Sequence, residues 1–178
     1  MIEKIGIIGA GQMGNGIAHV AAVAGCSVVL LDLDQQRIDA GLETITQNLA
    51  RQVRRNLLSE SDRSAAFDRI STTLDYADFG ECDFVIETAA EDEAVKRAIF
   101  KTLIPHLSDT ALIASNTSSI SITRLATTTD RPERFIGMHF MNPVPMMDLV
   151  ELIRGLATSE ETYQEVRILA KQMGKTIS

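Results

Sequence analysis

Ile5-Gly6-Ile7-Ile8-Gly9-Ala10-Gly11-Gln12-Met13-Gly14, running on to Ser27-Val28-Val29-Leu30-Leu31-Asp32, is the stretch that decides how this chain folds. Ile5, Ile7 and Ile8 make an apolar run too short for a helix, and Gly9, Gly11 and Gly14 follow in the spacing G-x-G-x-x-G. The pattern reads as strand, tight turn and helix. Gly9 permits the turn, Gly11 lets a pyrophosphate approach the backbone, and Gly14 lets the helix pack on the strand with its free N–H groups toward the phosphates. Ala10, Gln12 and Met13 fill out that loop. Gly25 then caps the helix, Ser27 to Leu31 forms a second buried strand, and Asp32 ends it with a carboxylate that both hydroxyls of an adenosine ribose can reach. Glycine triplets occur in many turns for steric reasons alone. Here the flanking strands, the helix and the terminal acid make the triplet a nicotinamide dinucleotide site. NAD is favoured over NADP, because Asp32 repels a 2′-phosphate and its neighbours Leu33 and Asp34 bring no arginine to hold one.

The 178 residues suit one domain with a sizeable core, and 45% hydrophobic with 23% charged residues is ordinary for a globular protein. A net charge of −7 argues against a broad footprint for nucleic acid or an anionic membrane. Cys26 and Cys82 stand alone and the histidines at 19, 106 and 139 are scattered, so neither a disulfide framework nor a metal site is expected. A reducing, cytoplasmic setting fits. The apolar span from Ile17 to Leu31 is interrupted by His19, Gly25 and Ser27 and is no membrane segment.

Beyond this unit, Ile38, Leu42, Ile45, Leu49, Val53 and Leu57 recur on one face, which predicts a long helix from Gln35 to Leu57. Arg51, Arg54 and Arg55 cluster near its end, where they complement the helix dipole or hold phosphates. Ser59 to Asp68 is a connector or short helix, Ile70 to Leu74 a brief segment, and Asp78 to Cys82 a turn. Asp83 to Glu87, Ala111 to Ala114, Phe135 to Met138 and Leu149 to Ile153 read as further strands, with helices over Val95 to Ile104, Ile120 to Ala126 and Ser159 to Met173. The hydroxyl row Ser115 to Ser119 is either functional or an N-cap of the following helix. This alternation predicts an α/β fold, a Rossmann-type doubly wound, mostly parallel sheet. Ligands of such sheets bind beyond the carboxyl ends of the strands, which here carry Gly9, Asp32, Glu87, Asn116 with Ser118, and His139.

His139 is the natural general base, since imidazole titrates near neutrality. A lone histidine is more often structural. Glu151, past the turn Asn142-Pro143-Val144-Pro145, is placed to return beside it, and a carboxylate on one ring nitrogen fixes the tautomer and stabilises the imidazolium.

Gly-Ala-Gly-Gln-Met-Gly, Ala-Ser-Asn-Thr-Ser-Ser, and His-Phe-Met-Asn-Pro-Val-Pro followed by Leu-Val-Glu resemble the 3-hydroxyacyl-CoA dehydrogenases, especially the short-chain 3-hydroxybutyryl-CoA dehydrogenases of fatty acid metabolism. The resemblance spans essentially the whole chain. It implies that His139 takes the proton of a substrate 3-hydroxyl while hydride passes to NAD, that Glu151 orients His139, and that Ser118 hydrogen-bonds the reacting oxygen or the thioester. It places Glu91, Lys96, Asn116 and Asn142 around the nicotinamide half, and Asn48, Arg51 and Arg55 near the coenzyme A of an acyl-CoA substrate. Family members continue into a helical second domain that completes the crevice and makes most of a homodimer contact. Residues 1–178 are therefore read as the NAD-binding Rossmann domain, the cofactor half of a protein of roughly 280 residues. Two alternatives stand beside this reading: a dinucleotide-binding module inactive without its second domain, and a related dehydrogenase of a free hydroxy acid or sugar acid.

Overall fold

The computed structural model describes residues 1–178. Strand β1 (Lys4–Ile8) lies inside the sheet, and its side chains alternate between faces: Ile5 and Ile7 enter one core, Ile8 the other. The chain then runs α1 (Gln12–Val23), β2 (Ser27–Leu31), α2 (Gln35–Arg54), α3 (Glu60–Asp68) and β3 (Ile70–Thr73). Its second half holds β4 (Phe84–Glu87), α4 (Glu93–Leu103), β5 (Leu112–Ser115), α5 (Ile122–Ala126) and β6 (Phe135–Phe140). It closes with β7 (Leu149–Arg154), α6 (Glu160–Gln172) and β8 (Thr176–Ile177). The spatial order is β3-β2-β1-β4-β5-β6-β7-β8. Every pair from β3 to β6 is parallel, β7 runs antiparallel to β6, and β8 is parallel to β7. The expected doubly wound sheet is present. Its strand order reverses between β1 and β4, the point where such sheets open a crevice for ligand.

The helices start where short polar side chains can cap them: Asp34, Ser59, Asp92, Ser121 and Ser159 each accept from an amide of the first turn. Gly11 precedes α1 without any side-chain cap. At the other end of α1, Gly25 takes φ 100°, and Gly25 and Cys26 donate to Ala22 and Ala21, closing the helix as the sequence predicts. Ala18, Ala21 and Ala22 are fully buried, so α1 lies close against the sheet.

Three local expectations change. α2 ends at Arg54, because Asn56 adopts the left-handed φ of 57° and turns the chain; Leu57, expected on the buried stripe, is 71% exposed. The turn at 78–82 starts earlier, as a single 3₁₀ turn over Tyr76–Phe79, while the 59–68 stretch takes the short-helix form of its two readings. The hydroxyl row is not the cap of α5. Ser121 caps it, while Thr117 accepts from the amides of Ser119 and Ile120 and leaves Ser118 exposed. No helix is long and apolar enough to cross a membrane.

Candidate active site

The glycine turn is built by close contacts. Gly9 holds φ 101° and donates its amide to Leu31 O at 2.7 Å, and a Cβ on Gly14 would lie 1.7 Å from Gly9 O. Only glycine fits at both. A Cβ on Gly11, by contrast, would meet nothing within 4 Å, so that position faces open space. The Asn15 amide donates to Ala10 O and Gly11 O, and the Thr88 hydroxyl to Ile8 O, which pins the loop from both sides. With no side chain capping α1, its first-turn N–H groups are left for an anion. These features fit a dinucleotide pyrophosphate.

Asp32 Oδ2 accepts from the Ala10 amide and Oδ1 from the Leu33 amide, both at 2.7 Å. The carboxylate thus braces the turn that it serves. Beside it opens a cleft of about 970 Å³, floored by Gly9 to Met13 and walled by Leu33, Ala40, Tyr76, Val95 and Ile99. Apolar walls with one acid at the rim suit an adenosine. The sequence alone does not point to Tyr76, Val95 or Ile99. Gly41 did leave a signal, as a glycine within a helical stripe: a Cβ there would stand 2.7 Å from Ala10 O. The premise that no arginine stands by Asp32 is corrected. One turn into α2, Arg37 lines the same cleft, with Nη1 4.0 Å from Asp32 and Nε 3.5 Å from Asp34.

At the neighbouring strand ends lies the second half of the site. His139 faces Glu151 across β6 and β7, Nδ1 to Oε2 at 2.7 Å. Asn116 Oδ1 accepts from the Phe140 amide at 2.8 Å, tying the end of β5 to the strand that carries His139. Glu91 accepts from the Thr117 hydroxyl and from the Ser118 amide. Asn142 is exposed and precedes a cis Pro143. His139, Glu151, Asn116, Ser118 and Glu91 thus share one edge, beyond the adenosine cleft, whose lining includes none of them.

Lys96 departs from its expected place. It is 1% exposed, and its ammonium donates to both oxygens of Glu87 and to Ala89 O, while Ser115 also donates to Glu87. All three of its protons are taken by protein, so it supports the site from beneath. Arg51, Arg54 and Arg55 are exposed and make no ion pair, and Asn48 is half-buried on α2. Arg51 lies seven residues past Thr44, the last α2 residue lining the cleft, or about 10 Å farther along the axis. Arg55 is the C-cap itself, and its amide donates to Arg51 O at 3.1 Å, one turn back.

A Rossmann sheet with a glycine-turn cleft and a histidine–carboxylate pair at one edge defines a dinucleotide-binding architecture. Residues 4–177 match the NAD binding domain of 3-hydroxyacyl-CoA dehydrogenase, and the chain belongs to that family. It is 54% identical over 178 residues to the 3-hydroxybutyryl-CoA dehydrogenase of Bradyrhizobium diazoefficiens, covering all of this chain and 61% of that protein. A probable 3-hydroxybutyryl-CoA dehydrogenase of Bacillus subtilis is 47% identical over 175 residues, 98% of this chain and 61% of the relative. Among solved structures, (S)-3-hydroxybutyryl-CoA dehydrogenase from Ralstonia eutropha superposes with a TM-score of 0.97 at 47% identity, over 99% of this chain and 62% of that one. The chain therefore spans about three-fifths of the length of these relatives.

Proposed function

We propose that the protein interconverts (3S)-3-hydroxyacyl-CoA and 3-oxoacyl-CoA with NAD, on a short-chain pair such as 3-hydroxybutyryl-CoA and acetoacetyl-CoA. The observation that carries this reading is the 2.7 Å contact of His139 Nδ1 with Glu151 at the carboxyl edge of the sheet. A carboxylate only accepts, so Nδ1 holds the proton and Nε2 keeps a free lone pair. In the oxidation direction Nε2 takes the proton of the 3-hydroxyl, and Glu151 stabilises the imidazolium that results. The reverse direction returns that proton. NAD supplies the hydride acceptor when bound, with Asp32 on its adenosine ribose and the Gly9–Gly14 turn on its pyrophosphate. Ser118 hydrogen-bonds the reacting oxygen or the thioester, and Glu91, Asn116 and Asn142 frame the nicotinamide end. Lys96 serves that end indirectly, by holding Glu87 and Ala89. Asn48, Arg51 and Arg55 take the nucleotide phosphates of coenzyme A.

A second reading, a dinucleotide-binding module without turnover of its own, is favoured by the openness of the catalytic edge: Ser118 and Asn142 are exposed, and Glu151 is 44% exposed. Loss of NADH with acetoacetyl-CoA separates the two. It is measured on this chain and on a chimera in which the remaining length of the Bradyrhizobium relative follows Ser178. Turnover by both supports the first reading, and turnover by the chimera alone supports the second. No turnover by either removes the acyl-CoA assignment.

A further inference from the structure

The adenosine end of the cleft contains a charge arrangement that its expected selectivity for NAD does not require. Arg37 lines the cleft with Asp32 and Leu33, and its side chain is 55% exposed. Its guanidinium is bracketed by two acids, Asp34 Oδ2 at 3.5 Å from Nε and Asp32 Oδ1 at 4.0 Å from Nη1. Both acids already have backbone tasks: Asp34 accepts from the Arg37 amide as the cap of α2, and Asp32 accepts from Ala10 and Leu33. The Asp32 contact is longer than a hydrogen bond. Donors of the guanidinium consequently remain free at the rim, beside the carboxylate placed to bind the ribose hydroxyls.

Resting on the dinucleotide reading above, we propose that Arg37 is a second specificity determinant of this site: a guanidinium placed to take a 2′-phosphate, kept from doing so by the charge of Asp32. A guanidinium fork matches the oxygens of a phosphate, whereas the two carboxylates give the rim a net negative charge that excludes one. Asp32 therefore sets the preference for an unphosphorylated ribose, and Arg37 sets how little change reverses it. Removing one negative charge suffices, and no new arginine has to be introduced.

Binding of ADP-ribose and of 2′-phospho-ADP-ribose to the 178-residue chain, measured by calorimetry, tests this without any turnover. Asp32→Asn keeps an oxygen for the Ala10 amide while removing the charge. It is expected to tighten 2′-phospho-ADP-ribose by roughly tenfold or more, about one charge-assisted hydrogen bond. Adding Arg37→Ala to that variant should return the gain and leave ADP-ribose affinity within about twofold, since an exposed charge pair is worth little to a neutral ribose. Arg37→Ala alone removes no turn contact. In the wild-type background it leaves both carboxylates without their offsetting charge and should weaken 2′-phospho-ADP-ribose relative to ADP-ribose, which keeps the inference testable if Asp32→Asn fails to fold. A response to the 2′-phosphate that is independent of Arg37, with ADP-ribose still bound, overturns this inference alone. Failure of the wild-type chain to bind ADP-ribose overturns the dinucleotide reading and this inference with it.

Discussion

His139 and Glu151 stand directly opposite one another in the antiparallel pair of β6 and β7, with Nδ1 2.7 Å from Oε2. Opposed residues on one sheet face keep their Cβ atoms about 4.5 to 5.5 Å apart, so strand register alone holds the carboxylate on the imidazole. A one-residue slip would send Glu151 to the other face. His139→Gln should therefore lower turnover of acetoacetyl-CoA by roughly 10² to 10⁴ while ADP-ribose binding stays put. Glu151→Gln keeps the shape and loses the charge, and should cost less. Wild-type turnover in the His139 variant would dismiss the dyad.

The glycine turn allows stability and binding to be separated. Gly14→Ala drives a methyl into Gly9 O, a backbone atom that cannot swing aside, and should destabilise the fold by about 1 to 3 kcal/mol along with losing nucleotide. Gly11→Ala meets nothing in the protein, so it should cost under about 1 kcal/mol of stability, the scale of an N-cap change, yet block the pyrophosphate. Thermal midpoints and ADP-ribose affinities for the two variants make the comparison. Full nucleotide affinity in Gly11→Ala would show that the phosphates lie elsewhere.

His19 introduces a pH dependence away from the site. Its Nε2 meets Gln52 Oε1 at 2.9 Å, while Nδ1 is buried without a hydrogen-bond partner. Burial pushes the imidazole below its ordinary value of 6.5; the Lys175 ammonium pushes the same way, and the Gln52 contact opposes. The folded protein thus holds this proton less tightly than the unfolded chain. Between the lowered value and 6.5 the unfolded state carries the extra proton, so stability rises with pH through that window. The His19 contribution is complete above it and lost as pH falls. The urea midpoint of wild type should drop more from pH 7 to pH 5 than that of His19→Gln. Parallel slopes would mean that the ring takes up its proton equally in the folded and unfolded states.

Much of this arrangement is legible in the chain because it is local. Apolar runs bounded by Gly and Asp mark β1 and β2, and the reversal at β6 and β7 follows from Pro143 and Pro145 between two apolar segments. Long-range placement is where sequence reading fails. The resemblance places Lys96 at the nicotinamide half, but its position brings it over β4 and β5, where Glu87 is fully buried and requires a counter-charge. Arg37 belongs to the adenosine rim only because α2 starts right after β2, three residues past Asp34 along a helix that begins at the cleft. Tyr76 reaches the cleft through a single 3₁₀ turn that no periodicity announces.

Coenzyme A carries a 3′-phosphate and a diphosphate, and in the proposed acyl-CoA reading the cluster at the end of α2 is their counter-charge. Arg51, Arg54 and Arg55 are exposed, and none is drawn into an ion pair, although the chain has seven more acidic than basic side chains (24 against 17). Like charges left unneutralised on consecutive turns repel, and a helix end gains only about 0.3 to 1 kcal/mol from a cation. Arg55 is the cap residue, its amide donates to Arg51 O at 3.1 Å one turn back, and the chain turns away only at Asn56. Removal of Arg55 should raise the Michaelis constant for acetoacetyl-CoA by a few-fold, in line with the ~0.2 to 1 kcal/mol of an exposed charge pair. A pantetheine thioester lacking the nucleotide phosphates should be turned over alike by wild type and Arg55→Ala. Raising the salt should narrow the difference seen with acetoacetyl-CoA, because exposed charges are screened over about 8 to 10 Å at ordinary ionic strength. An equal loss on both thioesters would assign Arg55 to closing the helix, and wild-type use of free acetoacetate would move the protein to the dehydrogenases of free hydroxy acids.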